Sequence, residues 1–201
     1  MRLRRKLTNK RLREVIFSKG EDEMIGKSTK VITGLVRFAY ANVHKPVAVY
    51  NGEERYSVTL LISKEDEGTI DSVISAVDAA MEKGREKIEK SRFEDMKMPV
   101  RDGDVERPED KAYAGCYFIN AYSKTQPQIV DKDLKLVLNE EEFYSGCYGR
   151  ASITFYTFNH EGSAGVACGL GNLQKLKDGE VLIGYSDPRV EFGTFIEDYL
   201  E

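Results

Sequence analysis

The chain has 201 residues, of which 41% are hydrophobic and 32% charged, and a formal net charge of −4. That length holds one domain of ordinary size with a core of its own, and the acidic balance excludes a protein that coats duplex DNA by bulk positive charge. The charge is uneven: residues 1–23 hold eight Lys or Arg against four Asp or Glu, which leaves −8 for the rest.

Within residues 1–23, Leu3, Leu7, Leu12, Val15 and Ile16 are loosely helical in spacing, with Arg and Lys between them. This segment reads as a basic arm that meets phosphate, or as a non-native or disordered extension. Lys19-Gly20-Glu21-Asp22-Glu23 is encodable by a purine-rich stretch resembling a bacterial ribosome-binding site, at a suitable distance before Met24. Translation is therefore expected to start at Met24, and the codons decide it.

From Lys30 the pattern is strand-like. Residues 30–43 are rich in β-branched and aromatic side chains around Gly34, which predicts a bent or bulged strand. His44-Lys45-Pro46 is expected to break it before residues 47–50 resume. Asn51-Gly52 is a hairpin-type turn, and residues 55–63 form a second strand. Ile70, Val73, Ile74, Val77, Ala80 and Met81 then follow a helical period within residues 69–90, with Thr69 as N-cap and Gly84 weakening the last turns. Residues 91–112 read as a long polar loop. Strands return at 114–123 and 148–159, with a short strand at Leu134–Leu138 and a helical turn at 140–146 between them. After Asn159 the chain is Gly-rich, and Val181-Leu182-Ile183 gives a last short strand or turn. The elements make a β-rich barrel or sandwich with one solid helix and long loops.

Chemical motifs are few. Cys116, Cys147 and Cys168 are odd in number and far apart, which fits reduced thiols in a cytoplasm better than a disulfide framework. His44 and His160 lack clustered Cys partners, so no zinc site is expected. No apolar run approaches the ~18–20 residues that span a bilayer, so no membrane partner is expected. No P-loop, GxSxG or HExxH signature is present. The glycines of residues 165–172 follow a strand without a convincing helix behind them, which argues against a dinucleotide site. Cys147 lacks a neighbouring base and reads as a buried thiol. The reading is of no catalytic residue, no metal and no cofactor. One rival keeps an enzyme open: the carboxylates of Asp102, Asp104 and Glu106, with Glu109 and Asp110 nearby, could hold a divalent ion for a nuclease. A solvated loop fits the same residues.

The strand faces are more informative. Ala151, Ile153 and Phe155 alternate toward a core, leaving Tyr148, Arg150, Ser152, Thr154, Tyr156 and Phe158 on the other face. Along residues 116–124, Cys116, Phe118, Asn120, Tyr122 and Lys124 share a face opposite Tyr117, Ile119 and Ala121. Arg37 lies opposite Val36, Phe38 and Tyr40. Phe38, Ile119, Ile153 and Phe155 are assigned to the core, and Gly115, Gly146 and Gly149 to bends or close backbone approach. Rings beside cations on a curved sheet suit unpaired nucleic acid, and equally suit packing at barrel corners. The residues nominated for DNA contact are Arg37, Tyr122, Lys124, Arg150 and Tyr156, then Lys30 and Phe158.

Residues 36–43, 55–66, 99–104, 112–131, 142–159 and 165–180 together resemble a phage-encoded family once catalogued as a domain of unknown function. Through an Enterobacter phage member, that family is understood as OB-fold single-stranded DNA-binding proteins. The resemblance spans Lys30 to Glu180 and implies a Greek-key barrel, an OB-fold domain over residues 24–186. It implies a protein that coats single-stranded DNA in phage replication or recombination, without sequence preference or a catalytic step, in the cytoplasm of a bacterial host. Residues 187–201 mix acid with Phe192, Phe195 and Tyr199. They resemble the acidic tails by which other single-strand binders recruit phage or host replication and recombination proteins, and they equally fit a last helix packed on the barrel. A homodimer and a non-DNA protein-interaction module remain open.

Overall fold

The computed structural model describes residues 28–48, 52–87, 96–160 and 163–182. The expectations for residues 1–23 and 187–201, and for Asn51 in the hairpin turn, fall outside them. The β-branched run from Lys30 makes two strands instead of one bent strand: β1 (Lys30–Ile32) and β2 (Val36–Ala48) part at Gly34. The Gly34 N–H donates to Thr69 Oγ1 at 2.8 Å, and an added Cβ would stand 2.6 Å from that oxygen. The chain can approach the helix this closely only without a side chain.

β2 runs on through His44-Lys45-Pro46, which was expected to interrupt it. Register shifts against β3 (Glu54–Ser63), between Ala39 and Asn42 and again between Asn42 and Val47, absorb the irregular residues as bulges. Tyr40 sits in the first of these with φ 46°. It is exposed, not on the buried face with Val36 and Phe38, because the bulge resets the alternation.

The helix α1 (Glu67–Gly84) buries Ile70, Val73, Val77, Ala80 and Met81, as their spacing predicts. Its N-cap is Asp66, not Thr69: Asp66 Oδ1 accepts from the Thr69 N–H at 3.0 Å, while the Thr69 hydroxyl serves Gly34. Gly84 is the contact with the barrel, since a Cβ there would meet Thr157 Oγ1 at 1.9 Å. A 3-10 turn, Arg85–Lys87, follows. Asp66→Ala removes the cap and is expected to cost about 1 kcal/mol. Calorimetry should then record a Tm lower by roughly 2–4 °C, with Asp66→Asn nearly unchanged.

The described part of the expected polar loop is ordered structure. β4 (Val100–Asp102) pairs with β5 (Cys116–Ser123), and a short α2 (Gly103–Glu106) and a 3-10 turn, Lys111–Tyr113, follow. Its acid residues have local tasks: Asp102 caps α2 and Asp110 caps the 3-10 turn. β6 (Ile129–Val130) is short, and residues 134–138 contribute only a single bridge, Val130 to Leu136, instead of a strand. The helical turn expected at 140–146 is a 3-10 turn at Glu140–Glu142. The largest departure comes after β7 (Tyr148–His160). The Gly-rich segment is β8 (Ser163–Lys177), 15 residues long. Val181 and Leu182 lie outside any strand, and the Leu182 N–H donates to Ser145 O at 2.7 Å.

Five strands close on themselves. β2 pairs with β3, β3 with β5, β5 with β8, β8 with β7 and β7 with β2, all antiparallel except β5–β8. Phe38, Leu60, Ile119, Ile153 and Phe155 fill the interior together with Val73 and Val77 of α1. Cys147 and Cys168 are buried there as free thiols, and burial pushes both pKa values up. At the β2–β7 seam Gly149 admits the Gln174 carbonyl, which an added Cβ would meet at 1.8 Å. Gly146, at φ 122°, admits the Glu180 carbonyl in the same way.

Candidate nucleic-acid interface

The pleat sends alternate residues of each barrel strand outward, and the register aligns them in a row. Tyr122 on β5 faces Ser57 of β3 on one side and Gly169 of β8 on the other. Gly169 in turn faces Thr154 of β7, which faces Lys30 of β1. Two residues along, Tyr156 of β7 lies opposite Ala167 of β8. Its Cε1 comes within 3.5 Å of where a Gly169 Cβ would stand. Two tyrosines therefore flank a strand that presents almost no side chain.

That bareness is a property of β8. Ala164, Val166, Cys168 and Leu170 point inward and are buried. The alternate positions are Ser163, Gly165, Ala167, Gly169 and Gly171. Gly165 is covered by the Lys97 backbone, whose oxygen a Cβ would meet at 2.5 Å. The remaining Ala167, Gly169 and Gly171 make a flat floor. The sequence carried this signal as small residues alternating with apolar ones, a period-2 pattern that the glycine count obscured.

The rings beside the floor are accessible: Tyr122 is 38% exposed, Tyr156 47% and Tyr40 53%. One end of the face is closed. Tyr113 and Phe118 pack in a T-shaped pair with ring centroids 5.0 Å apart, and the Arg101 guanidinium lies 4.7 Å from the Phe118 centroid. Phe118, on the same strand face as Tyr122, is therefore covered. Tyr113 is buried, and desolvation, with the nearby Tyr40 adding to it, pushes its hydroxyl up to about 12. Thr59 donates to Asn120 Oδ1 at 2.9 Å, tying β3 to β5 on this face.

The nominated cations divide. Lys30 is exposed at the end of the Tyr122 row. Lys124 is exposed just beyond β5, 3.7 Å from a Glu53 carboxylate oxygen; a surface pair of this kind is worth about 0–1 kcal/mol and yields readily. Arg150 is exposed, with Nε donating to Thr33 O at 3.0 Å and the rest of its guanidinium outward. Arg37 is more committed. It donates to Gly146 O at 3.2 Å and to Glu180 O at 2.8 Å, and lies 5.4 Å from the Tyr148 ring centroid. Its β3 partner, Leu61, is four residues from Ser57, roughly 13 Å along the strand, so Arg37 does not join the ring cluster. Phe158 is half-buried opposite Gly165. Tyr40 is a further exposed ring that alternation did not nominate, and the bulge accounts for its outward place.

The carboxylates of the rival nuclease site are tied to a lysine. Lys64 Nζ lies 2.5 Å from Asp102 Oδ1 and 2.7 Å from Asp104 Oδ2. Asp104 Oδ1 also accepts from the Gly115 N–H, and Glu106 pairs with Arg101. Burial disfavours the Lys64 ammonium, yet the two carboxylates outweigh it and hold its pKa above the usual lysine value. The ammonium sits where a bound cation would bridge those carboxylates. Among the described residues no group of three or more His, Cys, Asp or Glu is placed to hold a metal ion.

A closed five-strand barrel with one parallel pair, β5 with β8, is an OB-fold. The family described as Enterobacter phage Enc34, ssDNA-binding protein, matches residues 29–200, and the chain belongs to it. Protein p50 of Acyrthosiphon pisum secondary endosymbiont phage 1 is 29% identical over 170 residues, 81% of this chain and 91% of that protein. The solved single-stranded DNA-binding protein from bacteriophage Enc34 in complex with ssDNA aligns with a TM-score of 0.67 at 24% identity, over 77% of this chain and 90% of that one. Its C-terminal truncation aligns at 0.65 and 25% identity, over 77% and 89%. The likeness to these structures establishes the shared fold. No helix among the described residues is long and apolar enough to cross a membrane.

Proposed function

We propose that this protein binds single-stranded DNA on the outer face of β3, β5, β8 and β7, without sequence preference, in phage replication or recombination. The observation that carries this reading is the bare floor at Gly169 with Tyr122 and Tyr156 on its flanks. A flat, ring-edged strip lets bases stack whatever their identity, at ~1–3 kcal/mol each. Tyr40 extends the rings at the far side, and Lys30, Lys124 and Arg150 track the phosphates. Arg37 serves the barrel seam in this reading, and Phe158 borders the face. The protein acts by holding the strand and not by cutting it, since the Lys64 ammonium occupies the place between Asp102 and Asp104 that a metal ion would need. Three free thiols, two of them buried, suit the reducing cytoplasm of a host cell.

Tyrosine fluorescence titrated with oligo-dT at several salt concentrations tests the assignment. With three or four phosphates neutralised, log affinity should fall against log salt with a slope of roughly −2 to −3. Lys124→Ala and Arg150→Ala should each flatten that slope by about 0.7. Absence of binding at low salt overturns the reading. Labelled strand incubated with Mg²⁺ or Mn²⁺ should stay intact, and cleavage would restore the nuclease.

A further inference from the structure

Asn120 stands where β5 forks. On one side of it Ile119 pairs with Val100 of β4, and on the other Ala121 pairs with Cys168 of β8. One step back along that parallel register places Asn120 beside Ala167, which faces Tyr156 of β7. Tyr122 lies two residues along the same strand face. The half-buried amide is therefore beside one ring and across the bare strip from the other, two strand spacings or about 10 Å away. A base stacked on Tyr156 over Ala167 can turn an edge to it.

The direction of the amide is set from behind. Asn120 Oδ1 accepts from the buried Thr59 hydroxyl at 2.9 Å. The Tyr113 hydroxyl also hydrogen-bonds with Thr59, and burial keeps that phenol protonated. A buried donor left without an acceptor is costly, so the phenol donates to Thr59 and the Thr59 proton is directed to the amide oxygen. The carbonyl is thus turned inward, and the NH₂ group meets no partner among the described residues. What the amide offers a ligand is a donor and not an acceptor.

We propose that Asn120 donates a hydrogen bond to a carbonyl oxygen of a base held on this strip, and so grades the bases at one nucleotide. This rests on the reading of the face as the DNA site and adds to it: the rings stack any base, and the amide favours some. Thymine carries carbonyl oxygens, whereas adenine carries none and its exocyclic amine sets donor against donor. The ring nitrogens of adenine still accept, which keeps the preference modest. One neutral hydrogen bond favours thymine over adenine roughly two- to tenfold, small beside the stacking of several bases, so the protein still holds any sequence. Tyr113 and Thr59 act through Asn120 and are positioning residues.

Fluorescence anisotropy with oligo-dT and oligo-dA of equal length, each short enough for one copy, reads the ratio of the two Kd values at one salt concentration. Adenine strands also stack on themselves, so the informative quantity is the change in that ratio from parent to variant. Asn120→Asp keeps the oxygen that Thr59 needs, loses the NH₂ group, and should lower the dA-to-dT ratio roughly two- to tenfold. Its added charge weakens both strands alike and drops out of the ratio. Tyr113→Phe keeps the ring beside Phe118 but frees the amide to turn over, so the ratio should fall part of the way through weaker dT binding. A ratio unchanged in Asn120→Asp, or one that Tyr113→Phe leaves at the parent value, overturns the proposal. Failure of the parent to bind either strand at low salt overturns the DNA reading instead.

Discussion

Tyr122→Ala combined with Tyr156→Ala is expected to weaken single-stranded DNA binding by about 2–6 kcal/mol, at least roughly 30-fold in Kd. The two rings stand on β5 and β7, on either side of Gly169 of β8, so the losses should add with little coupling. Neither substitution removes a charge, and the salt slope should therefore stay that of the parent. This separates stacking from phosphate contact: Lys124→Ala changes the slope, the tyrosines change the intercept. Fluorescence anisotropy with a labelled oligonucleotide measures both. Phenylalanine at the two positions keeps the ring and should return most of the affinity. Parent-like binding by the double alanine variant would move the binding face elsewhere.

Phe38→Ala carries the largest expected cost in stability, about 3–5 kcal/mol. Its ring is fully buried and packs against Phe143 at a centroid distance of 4.8 Å. It also lies under the close approach at Gly149, where a Cβ would come within 2.9 Å of Phe38 Cε2. The ring thus supports the seam that closes β2 on β7, which holds only two paired positions, Val36–Gly149 and Arg37–Tyr148. Thermal unfolding should show Tm lowered by roughly 6–20 °C. Phe38→Leu fills most of the volume and should lose far less.

The legible parts of the sequence were those with a clean period. The alternation in β5 and β7 identified Ile119, Ile153 and Phe155 as core, and all are buried. The helical period found α1 within a few residues. What failed was wherever tertiary contacts overrode local pattern. Thr69 looks like a cap, but its hydroxyl is claimed by the Gly34 N–H from 35 positions away. Tyr40 alternates with Phe38 on paper, and a bulge against β3 reverses it. β8 was hidden because its outward positions lack the side chains from which strand propensity is read. Those glycines are explained only by neighbours that sequence cannot place, such as the Lys97 backbone over Gly165 and the Ser152 carbonyl, 2.8 Å from where a Gly171 Cβ would stand. For the proposed binding face, Tyr122, Tyr156, Lys30, Lys124 and Arg150 could be drawn from alternation. Arg37 could not be judged, since its carbonyl partners Gly146 and Glu180 are 109 and 143 residues distant.

The order in which the strands are synthesised gives β8 a further significance. It pairs with both β5 and β7, and it is the last strand of the barrel. A nascent chain therefore holds no closed barrel until Lys177 has been made, and must keep β2, β3, β5 and β7 unsealed meanwhile. Contacts between partners so far apart in sequence form slowly. The same strand is the floor between the two rings. Barrel closure and completion of the floor between the two rings thus arise in one event.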